Sequence, residues 1–392
     1  MIRNLFESKR NYLSKNIKIL DDCDDSRIGN KARNIRIINE KTDYLIPETL
    51  VVNTKVFSQL LVDNKISDPF KFNWSNFKIP TNYKNLILKK ILKVFGDKSL
   101  VIRSSATCED SPLLSFAGQY SSFLNIKGNK SIIDAIKLCY QSLFSDNAKI
   151  YAETNNIDLK NESMAIVIQE LAPVVVSGIA FTADPINRDD RRMIFEYTQG
   201  LGDTIVSGHQ KPELVDIEKK KVNNLKNIFL KEISIMALNL ERVFNSTQNI
   251  EWGWDGRKIY IFQSRNITTL NKKTKIANII FKRNKVIAMG IVACKGIEIG
   301  FLRVINNDKD YDKIKKGDVV LINCKVSNNL IRKIPIISAL IVKGGILSHV
   351  AIIAREFNIP CLVEPTITSE RIEEFKDKRI IVNAIKGKIL KV

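Results

Sequence analysis

His349 is one of two histidines in this 392-residue chain, and its surroundings suit it to chemistry. The segment 339–356 predicts a buried strand, a turn at Gly344-Gly345 and then a helix with one buried face. The apolar positions of that face are Val350, Ile353, Ala354 and Phe357. A helix start binds anions, and its partial positive charge keeps an imidazole neutral and nucleophilic. Taken alone, a histidine is more often structural, but this setting predicts phosphorylation of His349.

Composition limits the class of protein. The length allows two or three domains, and 44% hydrophobic residues can build ordinary cores. The sequence has no run of 18 apolar residues and no apolar core of a signal peptide, so we expect a cytoplasmic protein without a membrane span. The six cysteines are scattered and form no Cys-x-x-Cys pair, which predicts reduced thiols and no zinc cluster.

The net charge of +20 raises the question of nucleic-acid binding. The lysines are spread along the chain together with many asparagines and isoleucines, a pattern that an AT-rich genome also produces. The sequence has no basic motif interleaved with aromatic residues and no recognition-helix pattern. We therefore expect no nucleic-acid partner.

Alternating apolar patterns predict the main strands of the chain. They fall at 46–52, 99–105, 164–170, 177–182, 249–254, 258–265, 379–383 and 387–392. Asp255-Gly256 separates two of them and predicts a hairpin. Residues 271–285 are basic without a clear period and are predicted to be a linker. The sequence thus predicts a first domain over 1–270 and a small separate domain over 286–392.

The segment around His349, with 357–360 after it, resembles the phosphohistidine signature of the phosphoenolpyruvate synthase, pyruvate phosphate dikinase and rifampin phosphotransferase family. The nucleotide half of that family is matched in order by residues 27–32, 46–47, 101–107, 109–110, 115–120, 168–170, 177–185, 200–203, 206–208, 250–252 and 263–265, of which 101–120 hold the longest signature. The resemblance covers most of the chain. It implies an α/β and α+β protein, in which an ATP-grasp nucleotide-binding domain precedes a small swivelling β/α phosphohistidine domain.

The resemblance also implies a site for ATP and Mg²⁺. Phosphoryl transfer needs cations against the phosphates, an acidic metal ligand and a flexible glycine loop. Lys31, Arg103 and Arg265 would supply the cations and act with His349 in catalysis. Taken singly they would be solvated charges, but their joint occurrence in the expected order favours a site.

The remaining predicted ligands of ATP and the metal follow from the same motifs. Glu251 and Gln263 are predicted to hold Mg²⁺, and Gln263 shares a strand face with Arg265. The predicted nucleotide-binding residues are Lys31, Arg103, Gly118, Gln119, Gln169, Glu170, Leu171, Glu251, Gln263 and Arg265. Of these, residues 169–171 correspond to the hinge that binds adenine. His209 matches no known role.

The implied reaction transfers a phosphoryl group from ATP to His349, with release of AMP and phosphate, and then to a small-molecule acceptor. Relatives carry an acceptor domain where this chain has only 271–285, and both of its ends match family ends, so we expect a complete chain. The acceptor would then bind between the domains or on another polypeptide, and pyruvate becomes an improbable acceptor. The alternatives are a phosphocarrier subunit with a separate acceptor protein and a degenerate nucleotide-binding regulator.

Overall fold

The computed structural model describes residues 17–19, 27–110, 116, 119–200, 212–270, 275–276, 285–324, 326–327, 329–343 and 345–392, with only the backbone of His349 among the last. The chain divides into two units, Met1–Pro173 with Ile250–Asn266, and Val174–Asn249 with Ile267–Val392. Residues 174–249 of the predicted nucleotide-binding domain therefore share a unit with the segment that carries His349.

The described chain contains both helices and strands. The strands are β1 (Ile17–Ile19), β2 (Thr49–Val52), β3 (Leu100–Ala106), β4 (Ser122–Ile126), β5 (Met164–Glu170), β6 (Val176–Phe181), β7 (Arg192–Gln199), β8 (Glu213–Glu218), β9 (Gln248–Trp254), β10 (Ile259–Asn266), β11 (Lys275–Ile276), β12 (Val286–Met289), β13 (Ile291–Cys294), β14 (Gly296–Ile305), β15 (Val319–Ile322), β16 (Ala339–Val342), β17 (Cys361–Val363), β18 (Arg379–Asn383) and β19 (Lys388–Lys391). The helices are α1 (Gly29–Lys41), α2 (Thr54–Asp63), α3 (Thr81–Phe95), α4 (Asn129–Ser142), α5 (Asp146–Thr154), α6 (Ile228–Phe244), α7 (Asn329–Lys333), α8 (His349–Glu356) and α9 (Ser369–Phe375).

The first unit is built on an antiparallel sheet in the order β1-β2-β5-β3-β4. All four residues of β2 are buried, as are all residues of β3 except Arg103. Helix α1 covers part of this sheet, because Ile28, Ala32 and Ile35 pack against Val51 and apolar residues of β5. The spacing of these residues gives α1 one apolar stripe, and burying it removes the stripe from water.

The hairpin predicted at Asp255-Gly256 is present between β9 and β10. The Asp255 carboxylate accepts the backbone N–H groups of Arg257 and Lys258, which closes the turn. Trp252 is fully buried whereas Glu251 is partly exposed, because successive side chains of a strand point to opposite faces. Glu251 therefore lies on one face of the hairpin, and the buried Trp252 lies on the other.

The second unit contains an antiparallel ladder of β6, β7 and β8 and a larger sheet in the order β12-β19-β18-β14-β15-β16-β17-β13. Strands β14 to β17 run parallel, and β15, β16 and β17 are buried at every position. Parallel strands covered on both faces read as continuous apolar runs, as 339–342 does. An apolar core forms between this sheet and α9, where Ile372 and Phe375 pack.

The predicted strands are therefore confirmed within one or two residues at each end, except that β2 begins at Thr49, three residues after the start of the predicted segment 46–52. The predicted linker lies mostly outside the described residues, apart from β11, which pairs in parallel with β14, and Lys285, whose backbone accepts from Lys391. The five cysteines that the structure describes are free thiols, four of them buried. In the described part of the chain, no helix combines the length and apolar character needed to cross a bilayer.

Candidate active-site residues

Lys31 is the third residue of α1, and the end of β3 fixes where that helix begins. Gly29 has φ +71°, and a Cβ built on it would lie 2.0 Å from the Ser105 carbonyl oxygen. The Ser105 hydroxyl donates to the Ile28 carbonyl at 2.7 Å and accepts the Ala32 N–H at 3.1 Å. Ile28, at the cap position of α1, makes no side-chain hydrogen bond to the helix. The Ser105 hydroxyl on β3 instead accepts a backbone N–H at the start of the helix.

The ammonium group of Lys31 is buried and paired with an acid. Its Nζ donates to Glu109 Oε1 at 2.9 Å, and only 6% and 7% of the two side chains are exposed. The other oxygen of Glu109 accepts the Ala106 N–H at 3.3 Å, at the end of β3. A buried ammonium is costly unless it is paired, so this acid offsets the cost of burying the lysine.

Arg103 is the partly exposed position of β3, and its guanidinium reaches Glu251. Arg103 Nη1 lies 3.4 Å from Glu251 Oε2, while the buried Nε has no hydrogen-bond partner among the described residues. Burial opposes ionisation of the Glu251 carboxyl, but the nearby guanidinium groups of Arg103 and Arg265 outweigh it and hold its pKa below the ordinary value. Glu251 is therefore a carboxylate at neutral pH, with 37% of its side chain open to solvent.

Gln263 and Arg265 lie two residues apart on β10, so their side chains share one face of the strand, as predicted. Both contact the same acid, Asp110. Gln263 Nε2 donates to Asp110 Oδ2 at 2.6 Å, and Arg265 Nη1 lies 3.7 Å from Asp110 Oδ1. Burial and the neighbouring Glu109 carboxylate raise the pKa of Asp110, and Arg265 offsets this only in part. Asp110 also has φ +50°, a backbone conformation that is uncommon outside glycine.

The three predicted cations are thus each paired with an acid in the first unit. Motif comparison singled out the cations but gave no role to Glu109 and Asp110, although both lie within the longest matching signature. The signal that would have found them is simple, because cations that are buried or mostly buried need counter-charges nearby. These two adjacent acids follow the end of β3 directly and provide two of the three counter-charges.

The predicted adenine hinge lies where β5 ends. Gln169 is buried and donates from Nε2 to Thr49 Oγ1 at 3.0 Å, so its amide lies within the sheet. The Glu170 side chain pairs with Lys98 at 2.7 Å. The backbone N–H of Leu171 donates to the Ser99 carbonyl at 2.8 Å. A role of these residues in adenine binding stays a prediction.

Some predicted site residues cannot be placed in the same way. Gln119 is buried, and its N–H donates to the Phe116 carbonyl at 3.0 Å. Gly118 and His209 lie outside the described residues.

His349 is the first residue of α8, as the sequence predicted. Ser348 caps the helix by accepting the Ala351 N–H, which leaves other N–H groups of the first turn directed along the helix axis. The prediction of one buried face is too narrow, since Val350 to Arg355 are all buried in succession and Phe357 lies just beyond the helix end. The reason is that α8 packs against β13 and β17 on one side while Arg355 meets Phe181 of β6 on another.

Known proteins resemble this chain over most of its length. A probable phosphoenolpyruvate synthase of Methanothermobacter thermautotrophicus is 30% identical over 356 residues, which cover 81% of this chain and 51% of that protein. The phosphoenolpyruvate synthase of Pyrococcus furiosus is 29% identical over 70% of this chain and 39% of its own length. A rifampicin phosphotransferase of Bacillus cereus is 37% identical over 46% of this chain and 24% of its own. The chain spans about half the length of the first of these relatives and less of the others.

Solved structures resemble it only distantly. A D-alanine–D-alanine ligase from Coxiella burnetii matches with a TM-score of 0.29 and 7% identity, over 61% of this chain and 48% of the ligase. That likeness is too weak to indicate function.

Two family matches divide the sequence much as its motifs do. Residues 25–235 and 213–285 match the AMP/ATP-binding domain of pyruvate phosphate dikinase, in keeping with the predicted ATP-grasp fold. Residues 314–387 match the mobile domain of PEP-utilising enzymes, which includes His349. The mixed α/β fold class is confirmed. The first match covers well over half of the chain, and the chain therefore belongs to the pyruvate phosphate dikinase AMP/ATP-binding domain family.

Proposed function

We propose that this protein is an ATP-dependent phosphotransferase of the dikinase type. In the reaction, ATP, water and His349 give phosphohistidine, AMP and inorganic phosphate, and the phosphohistidine then passes its phosphoryl group to an acceptor. The observation that carries the proposal is the set of three cations in the first unit, each held against an acid, in a chain that also has a histidine at a helix start.

The cations would act by neutralising the triphosphate. Phosphoryl transfer depends mostly on positioning and on charge neutralisation, and arginine can grip phosphate oxygens through two parallel N–H groups. Lys31, Arg103 and Arg265 are now balanced by protein carboxylates, which a triphosphate can replace as the anionic partner. The buried Arg103 Nε, without a hydrogen-bond partner among the described residues, is a donor that a phosphate oxygen would satisfy.

The acid and the amide on the β9–β10 hairpin fit a magnesium ion. Glu251 is ionised and partly exposed, and the Gln263 amide nitrogen is taken by Asp110, which leaves its oxygen as a hard ligand. Mg²⁺ takes few protein ligands and completes its shell with water and phosphate oxygens, so one acid and one amide are enough to hold it. When bound, it supplies charge neutralisation at the phosphates.

The test is incubation with ATP and Mg²⁺ followed by intact-mass and nucleotide analysis. We expect an acid-labile gain of one phosphoryl group, AMP as the nucleotide product, and loss of both in His349→Ala. His209→Ala is the matched control, since it removes the other histidine, and it should still become phosphorylated. Formation of ADP, or a label that persists in His349→Ala, would contradict the proposal.

The acceptor belongs to the same proposal, and a small molecule is the leading candidate. The alternative is a phosphocarrier that passes the phosphoryl group to a separate acceptor protein. AMP that accumulates far beyond the amount of protein when a small acceptor is added favours the first. AMP that stops near one equivalent until a second protein is added favours the second. A nucleotide-binding regulator would give ATP binding without AMP in either assay.

A further inference from the structure

Glu196 of β7 is a buried acid for which the proposed reaction has no use. It is 2% exposed, and its Oε2 accepts the N–H of Leu347 at 3.0 Å. The N–H of Ile346 also bonds to this carboxylate. One side chain therefore holds two consecutive amides of the loop that leads through Ser348 into His349.

The loop is shaped to admit this carboxylate. A Cβ built on Gly345 would lie 2.6 Å from Glu196 Oε2 and 2.8 Å from Oε1, closer than real contacts allow. Gly345 is not among the glycines with positive φ, so its backbone would accept a side chain. The approach of Glu196 is thus the reason for glycine at this position.

Arg355 holds the same loop by its carbonyl groups. Its Nη1 donates to the Ile346 oxygen at 2.7 Å and to the Ala293 oxygen at 3.0 Å. The guanidinium also lies 5.8 Å from the ring centre of Phe181 on β6. Residue 346 is therefore fixed through its N–H by Glu196 and through its oxygen by Arg355.

These contacts join two parts of the sequence with different family matches. Phe181 and Glu196 lie in the match to the AMP/ATP-binding domain, whereas Gly345 to Arg355 lie in the match to the mobile domain. We propose that Glu196 is a positioning residue that docks the His349 loop onto β7, and that this docking prepares His349 for phosphorylation. The second half of the statement rests on the proposed function.

The contact between Glu196 and the loop can be broken as well as formed. Burial raises the pKa of Glu196 to about 7, and the two loop N–H groups and Arg355 offset this effect only in part. Arg355 is the charged group that faces Glu196 from α8. A carboxylate that lacks a full set of hydrogen-bond partners is held less firmly than a carboxylate in an ion pair. When the loop leaves β7, water can hydrate the carboxylate and so compensate for the lost contacts.

The docking is tested by hydrogen exchange and the role by kinetics. Glu196→Ala removes both acceptor oxygens, whereas Glu196→Gln keeps the shape and one acceptor oxygen and so resembles the protonated acid. We expect exchange at the 346 and 347 amides to rise at least tenfold in Glu196→Ala. At saturating ATP, phosphohistidine formation should slow by about the same factor in Glu196→Ala and by much less in Glu196→Gln, with the Kd for ATP changed less than twofold in both variants. Asp216→Asn, on the neighbouring strand β8, is the control and should change none of these.

A double-mutant cycle separates docking from general damage to the fold. Gly345→Ala should slow phosphorylation because its methyl group meets the Glu196 carboxylate. Adding Gly345→Ala to Glu196→Ala should then cause no further loss, since the obstacle is gone. If the two effects multiply, or if phosphorylation accelerates in Glu196→Ala, the positioning role is wrong.

Failure of the proposed function would look different. A wild-type protein that forms no phosphohistidine overturns that function, whatever Glu196 does. Exchange at 346 and 347 still decides the docking, because it requires no reaction. Equal protection of these amides in wild type and Glu196→Ala would overturn the docking itself.

Discussion

Gly29→Ala should damage the protein far more than the same change at Gly128, although both glycines stand at a helix start. Gly29 has φ +71° and Gly128 has φ +82°, so an added Cβ meets a backbone penalty, of about 1–3 kcal/mol, at both. Gly128 has no atom within 4 Å of that position. It is therefore the matched control for the backbone effect.

The difference comes from β3. The Cβ of alanine at Gly29 would lie 2.0 Å from the Ser105 oxygen, whereas a relaxed contact between carbon and oxygen is about 3.3 Å or more. Ser105 cannot retreat easily, since it is buried and pairs with Ala165 in β5. Relief of such overpacking costs about 1–3 kcal/mol, and displacement of α1 would also strain the Ser105 hydrogen bonds. We expect Gly29→Ala to lose about 2–4 kcal/mol more than Gly128→Ala.

The assay is urea unfolding followed by tryptophan fluorescence, together with calorimetric titration of ATP. Gly29→Ala should unfold at a clearly lower urea concentration and bind ATP more weakly, since Lys31 lies two residues further along α1. Gly128→Ala should keep its ATP affinity. Equal loss of stability in the two variants would refute the argument that close approach to β3 sets the position of α1.

Three further outcomes follow from the same structure. Ser105→Ala leaves the buried Ile28 oxygen and Ala32 N–H without this partner, so the free energy of unfolding measured in urea should fall by roughly 1–3 kcal/mol; an unchanged value would contradict its capping role. Glu251→Gln should raise the Mg²⁺ concentration for half-maximal phosphorylation by roughly 10–100-fold, and an unaltered Mg²⁺ titration would remove it as a ligand. Because the pKa of docked Glu196 is about 7 against an ordinary 4.5, docking is strongest at low pH and weakens as pH rises through 7, so phosphorylation should fall over that range more in wild type than in Glu196→Gln; parallel pH profiles would exclude this.

Local patterns were enough to predict most strands and the start of α8. Alternation between apolar and polar residues reports which face of a strand is buried, and an Asp-Gly pair reports a tight turn, so β9 and β10 could be predicted with their hairpin. The burial of α8 on nearly every side could not. It depends on what packs around the helix, and a helix of eight residues carries too few positions for its pattern to reveal that.

The sequence by itself determined the chemistry available to this protein: a histidine after two glycines, three cations in fixed order, and an acid and an amide on one hairpin. Only the tertiary structure decided which groups these side chains pair with. Lys31 meets Glu109 across 78 positions and Gln263 meets Asp110 across 153, and Glu196 meets the loop before His349 across 151. The physical reason is that motifs report short-range spacing, whereas a buried charge is balanced by whichever group the folded chain brings beside it.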